Sequence, residues 1–217
     1  MKIQKLLMFF ASAAILLIGC EKENTTIGRS NEPSPNIPSQ ITVKVGQTHN
    51  LGSTQSWTTS SAFVATVSGN GMVMGKHVGK CIASCPFGSC NVTVLATINL
   101  FRDPITQWGM SKSEVIAHEG NDYTETSSGN LAYTTGNSIA PNIGYLFQNG
   151  GLNSVLIPVL SNYKNEVIDH LSQRYRYIGV ENNIYYFADG NSSSDATTAV
   201  QFSRYNSSYW QILYMRY

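Results

Sequence analysis

Glu114-Val115-Ile116-Ala117-His118 and Glu166-Val167-Ile168-Asp169-His170 are two versions of one pentapeptide, and they organise the carboxy-terminal half of the chain. The match extends downstream. Asn130-Leu131-Ala132-Tyr133 matches Asn183-Ile184-Tyr185-Tyr186, and Gly136-Asn137-Ser138 matches Gly190-Asn191-Ser192. Asn149-Gly150-Gly151-Leu152 then aligns with Asn206-Ser207-Ser208-Tyr209. Small gaps separate the matches, as in a duplicated unit whose loops have drifted. Each pentapeptide sits in a helix signal. Ser111-Lys112-Ser113-Glu114 is a capping box, Met110 and Val115 stand where a hydrophobic staple places them, and Gly120 is a natural stop. Tyr163, Val167, Leu171 and Tyr175 recur at helical spacing and predict a second helix over 162–175.

After each helix comes a strand, then a hairpin. The first hairpin turns at Asn149-Gly150, a type I′ signal, between Gly144–Phe147 and Leu152–Ile157. In the second, Ala199–Tyr205 and Tyr209–Tyr217 flank Asn206-Ser207-Ser208. Two such halves predict an α+β domain over 98–217: two helices on one antiparallel sheet of about six strands, one face covered and the other open. The arrangement is similar to tandem α+β repeats such as the β-lactamase inhibitor protein, and that resemblance implies an open sheet able to grip a partner. Trp108-Gly109-Met110-Ser111 and the ending Tyr209-Trp210-Gln211-Ile212-Leu213-Tyr214-Met215-Arg216-Tyr217 also resemble small Bacteroidetes surface lipoproteins. Aromatic residues crowd the last quarter. Alternation puts Trp210, Ile212 and Tyr214 on one side of the final strand and Tyr209, Leu213 and Tyr217 on the other. One set packs under the helices and the other supplies contact surface. Tyr185, Tyr205, Tyr209, Trp210, Tyr214 and Tyr217 are the candidate binding residues.

Upstream, 40–97 has a different texture. Short β-branched runs alternate with turn residues: Ile41, Val43 and Val45 before Gly46-Gln47, Phe63–Val67 before Ser68-Gly69-Asn70-Gly71, then Met72–Gly75. This spacing predicts a small all-β sandwich. Trp57-Thr58-Thr59-Ser60, Val64-Ala65-Thr66-Val67-Ser68, Gly71-Met72-Val73-Met74-Gly75 and Gly79-Lys80-Cys81-Ile82-Ala83 resemble the motifs of the bacterial Ig-like group 2 (BIG2) domain. The resemblance implies a non-catalytic stalk or adhesive module. Three cysteines depart from the family pattern. Cys85 and Cys90 bracket Pro86-Phe87-Gly88-Ser89, read as a four-residue hairpin loop, so a disulfide between them is expected in an oxidising compartment, with free thiols as the alternative. A zinc site lacks a fourth ligand at usual spacing.

At the amino terminus, Lys2 and Lys5 precede an uncharged run from Leu6 to Ile18. That run suits the core of a secretory signal. Leu17-Ile18-Gly19-Cys20 resembles the bacterial lipobox, which implies cleavage of residues 1–19 and acylation of Cys20. From there to residue 39 the chain is polar and contains Pro33, Pro35 and Pro38, the composition of a flexible tether. Membrane attachment is thus expected through lipid, in the outer membrane, on its periplasmic face or at the cell surface. Cleavage removes two lysines and no acid, so the mature chain is nearly neutral, which argues against nucleic acid as a partner.

Catalytic signals are sparse. The repeated Glu-Val-Ile-x-His has one residue more than the Glu-x-x-His of di-iron bundles, and the further carboxylates of such sites are not apparent. No Gly-x-Ser-x-Gly elbow, phosphate loop or dinucleotide fingerprint occurs. Glu119, Asp122 and Glu125 form an acidic cluster in which a glycosidase pair is the one remaining enzyme reading. The expectation is a monomeric, non-catalytic envelope lipoprotein without metal or cofactor. Its Ig-like spacer presents a head that binds a protein or glycan. The alternative is a periplasmic inhibitor, or an accessory subunit, glycan-binding ones included.

Overall fold

Alternating apolar residues make the first strand, β1 (Gln40–Lys44): Ile41 and Val43 are buried between solvent-facing neighbours. The computed structural model describes residues 36–52 and 56–217. The signal segment 1–19, Leu17-Ile18-Gly19, Cys20 and most of the tether lie outside the described residues. The fold is β-rich, with two short helices.

Six more strands follow β1: β2 (Thr48–Asn50), β3 (Thr58–Thr59), β4 (Ala65–Val67), β5 (Met72–Gly75), β6 (Gly79–Cys85) and β7 (Gly88–Leu95). They form a four-stranded sheet, β1-β7-β6-β3, and a three-stranded one, β2-β5-β4. Trp57, Val73, Cys81, Cys90, Val92 and Val94 share one buried cluster contributed by both sheets. All three described cysteines are free thiols. The expected Cys85–Cys90 disulfide is not formed, and the register explains why. Cys85 pairs with Gly88 and Ala83 with Cys90, so the turn holds only Pro86-Phe87 and the two cysteines are diagonal neighbours. Diagonal positions lie about 7–8 Å apart, beyond the usual reach of a disulfide. Burial, with Cys81 nearby, pushes the Cys90 thiol upward, away from the reactive thiolate.

The second half of the chain holds α1 (Lys112–Glu119), β8 (Tyr123–Glu125), β9 (Leu131–Thr134), β10 (Asn142–Gln148) and β11 (Gly151–Leu160). It then repeats the pattern with α2 (Lys164–Ser172), β12 (Arg176–Glu181), β13 (Ile184–Ala188), β14 (Thr198–Arg204) and β15 (Tyr209–Arg216). All eight strands join one sheet in the order β12-β13-β14-β15-β11-β10-β9-β8. β11 and β15, the last strand of each copy, pair antiparallel at its centre. The order therefore reads the same from either edge, as a duplicated helix-plus-four-strands unit requires. This corrects the helix-strand-hairpin unit and its six strands. Where a single strand was expected after each helix, a hairpin forms. In the second copy it turns at Asn182-Asn183, both at positive φ as a type I′ turn demands.

Local signals explain the helices. Ser111 accepts from the Glu114 amide, Glu114 accepts from the Ser111 amide at 2.7 Å, and Gly120 at φ 98° ends α1. A 3₁₀ turn, Ser161–Tyr163, leads into α2, which is shorter than the expected 162–175. Val115, Val167 and Leu171 from the helices are buried with Tyr145, Val155, Ile157, Phe202 and Ile212 from the sheet. The opposite face differs. Leu156, Pro158 and Leu160 on β11, Ala199, Gln201 and Ser203 on β14, and Gln211, Leu213 and Met215 on β15 are all half-buried and uncharged.

Between β7 and α1 the chain is bound to the end of α2. Gln173 Oε1 accepts from the Thr97 and Ile98 amides at 2.7 and 3.2 Å, and the Val78 amide donates to the Gln173 carbonyl at 2.8 Å. Arg174 and His170 grip the next residues, Ile98 to Asp103. The connection is thus a hydrogen-bonded splint between the two cores.

Candidate functional site

The six aromatic candidates do not form one patch. Tyr214 is buried at the centre of the core, with its hydroxyl unpartnered, so it presents no contact surface. Its alternation class under the helices explains this. Tyr217 is exposed but follows the far end of β15, where its amide bonds the Thr197 carbonyl. The remaining four lie at the other end of the sheet. Tyr205, 66% exposed, and Tyr209 flank the β14–β15 turn, while Tyr185 and Trp210 approach each other on the helix face with ring centroids 6.1 Å apart.

Lys164, the first residue of α2, completes this group and was not among the sequence candidates. Its Nζ sits 4.9 Å from the Tyr185 ring centroid and 4.8 Å from that of Trp210. Both distances suit a cation–π contact. Beside it opens a cavity of about 580 Å³ lined by Lys164, Arg204, Asn182, Asn183, Ser203 and Trp210, among others, with no acidic residue on its wall.

Several local devices position these groups. The Ser161 amide donates to the Ser208 carbonyl at 2.9 Å, and the Ser161 hydroxyl donates to the Ser207 carbonyl at 3.2 Å. Those bonds tie the entrance of α2 to the β14–β15 turn. Asn206 Oδ1 accepts from the Ser208 and Tyr209 amides, both at 2.9 Å, which closes the turn as an Asx motif. Arg204 donates through Nε to the Asn206 carbonyl at 3.1 Å, leaving its two terminal nitrogens directed elsewhere. The type I′ turn of Asn182 and Asn183 supplies the remaining wall.

The duplication provides an internal control. Lys112 is the counterpart of Lys164, two residues before the shared glutamate in each copy. Lys112 is paired with Glu125 at 2.6 Å, whereas Lys164 has no ion-pair partner among the described residues. One copy of the lysine is neutralised by a carboxylate. The other is mounted on two rings at a cavity mouth.

The acidic cluster is not drawn into one cleft. Glu119 is nearly buried, bonded by Arg102 and Tyr145. Burial alone raises its pKa, but those bonds outweigh it and hold the carboxyl below its ordinary range. Glu125 pairs with Lys112, and Asp122 is exposed. The repeated Glu/His pairs have likewise separated in role. Glu114 closes the cap of α1, while His170 is wholly buried. A smaller cavity of about 210 Å³ lies over Phe101, Ile143 and Ile157. Its asparagine, Asn137, is engaged by the Leu100 carbonyl and by the Ile139 and Ala140 amides, so that wall is structural.

Among the described residues no helix is long and apolar enough to cross a membrane. A comparison with protein-family models finds no match, and a comparison with curated proteins finds no significant one.

Proposed function

We propose that this chain is a non-catalytic lipoprotein of the cell envelope: Cys20 carries the lipid, residues 20–39 form a tether, an Ig-like group 2 module at 40–97 acts as spacer, and the α+β repeat domain at 98–217 is a recognition head. The observation that carries the binding assignment is the cavity at the β14–β15 end of the sheet, where Lys164 is held over Tyr185 and Trp210 beside Arg204. The wall is mostly polar and carries two cations, which suits a polar, charged ligand rather than an apolar one. The hydrogen-bonded splint supports the spacer role, because it ties the connecting segment to the head.

A second reading has its own observation. The uncharged outer face of the sheet, from Leu156 and Pro158 across Leu213 to Gln201, has the composition of a protein-contact surface. It favours a periplasmic inhibitor or accessory subunit, similar to the β-lactamase inhibitor protein in using one sheet face. Protease treatment of intact cells separates the two. The display reading predicts that the wild-type protein fractionates with membranes and is cleaved on intact cells, and that the Cys20→Ala protein is released. Protection until the outer membrane is opened would favour the periplasmic reading instead.

A further inference from the structure

Building on the recognition-head assignment, we infer that the cavity at Lys164 binds an acidic sugar, a ring carrying a carboxylate or a sulfate, and that the Lys164 ammonium and the Arg204 guanidinium hold its anionic group. Two observations converge on this chemistry. Two cations line one cavity wall that has no acid, and Lys164 lacks an ion-pair partner among the described residues. A cation left without a counter-charge beside a cavity favours a ligand that brings one. The Lys112–Glu125 pair shows that the duplicated lysine is readily neutralised by this fold, and that the second copy is built otherwise.

The second observation concerns the rings. Trp210 is only 7% exposed and the ammonium already occupies the space over it and over Tyr185. Those faces therefore fix the cation and are not free to stack a neutral sugar. The site selects charge first. Beyond the anion slot, the side-chain amides of Asn182 and Asn183 offer donors and acceptors around a space of ring size. An acidic peptide side chain would use the cations and leave that polar wall unmatched, which is why a sugar acid is favoured.

The test is amide and indole chemical-shift mapping on the whole mature protein with glucuronate, glucose 6-sulfate, glucose and the dipeptide Glu-Glu as probes. The expected result is saturable shifts at Asn182, Asn183 and the Trp210 indole with glucuronate or the sulfate ester, and none with glucose. Whichever acid binds better identifies the anion. Lys164→Gln and Arg204→Gln should each weaken binding roughly tenfold, and Lys112→Gln should leave it unchanged. Arg204 is exposed, so its variant keeps the test valid if Lys164→Gln disturbs the fold. Equal binding of glucose would overturn the charge selection, and equal or tighter binding of Glu-Glu would overturn the sugar assignment. If no probe binds, the inference fails. The recognition-head assignment fails separately, if a photo-crosslinking residue placed at Asn183 in the cavity wall captures no partner in living cells.

Discussion

Replacing Arg174 with methionine is expected to lower the unfolding free energy of the protein by about 2–4 kcal/mol. Arg174 is 8% exposed, and all three nitrogens of its guanidinium donate hydrogen bonds. Nε donates to Asp103, Nη1 to the Ile98 and His170 carbonyls at 3.2 and 3.1 Å, and Nη2 to Asn99 Oδ1 at 2.7 Å. Methionine fills much of the volume but leaves these acceptors without a donor, and unsatisfied buried polar groups are the costly case. Asp103 is half-exposed and can rehydrate, which keeps the loss below that of a wholly buried pair. Lysine restores the charge without the planar fork, so Arg174→Lys should recover only part of the deficit. Urea denaturation measures the energy. Faster amide exchange of residues 97–103 would localise it to the splint. A change below about 0.5 kcal/mol, the level of an ordinary surface substitution, would mean that the connection does not join the two cores as described.

Acidification from pH 7 to pH 5 is expected to remove about 2 kcal/mol through one residue, His170. Its ring is wholly buried against Phe101, with Nδ1 3.3 Å from the donating Leu100 amide. That bond places the ring proton on Nε2, which has no hydrogen-bond partner and lies 3.9 Å from Asp103. Burial first, and the Arg174 charge second, hold its pKa down to about 3 from an ordinary 6.5. The folded protein therefore keeps the neutral ring while the unfolded chain takes a proton below pH 6.5. Stability is intact above that pH and declines as pH falls towards 3. His170→Asn, which keeps an acceptor for Leu100, should flatten the slope between pH 6.5 and 5. His77, stacked on Phe63, is also lowered by burial and adds a smaller slope that survives this substitution. Glu119 and Asp195, held low by their hydrogen-bond partners, act further into acid. Denaturation midpoints at pH 7 and pH 5 decide the matter; equal values would show that His170 is free to ionise in the folded state.

The parts of the fold that were legible rest on local chemistry. The capping box at Ser111, the Asn149-Gly150 turn and the alternation of β15 each follow from a few adjacent residues, and the structure contains each. Register was harder to see. Whether Pro86–Ser89 or only Pro86-Phe87 makes the turn depends on the pairing of the whole β6–β7 ladder, and that choice moves Cys90 from opposite Cys85 to opposite Ala83. The first hairpin of each repeat was missed because β8 is three residues long and β12 shows no burial alternation. Asn182-Asn183 was the signal that it left. At the candidate site, the aromatic crowding pointed to the right strands but not to the right chemistry. Lys164 was visible as the partner of Lys112 in the duplicated segment. Its meaning lay in what each lysine meets in space, Glu125 in one copy and two rings in the other.

The most direct test of the recognition head is photo-crosslinking in living cells from three positions of the full chain. Asn183 lies in the cavity wall, Gln211 on the outer sheet face, and Asn149 in a turn at the opposite end of the sheet. The account predicts a specific adduct from position 183, lost when Lys164 and Arg204 are both changed to glutamine, with none from 149 or 211. An adduct from 211 alone would move recognition to the sheet face, and no adduct from 183 would contradict the assignment of this cavity as the binding site.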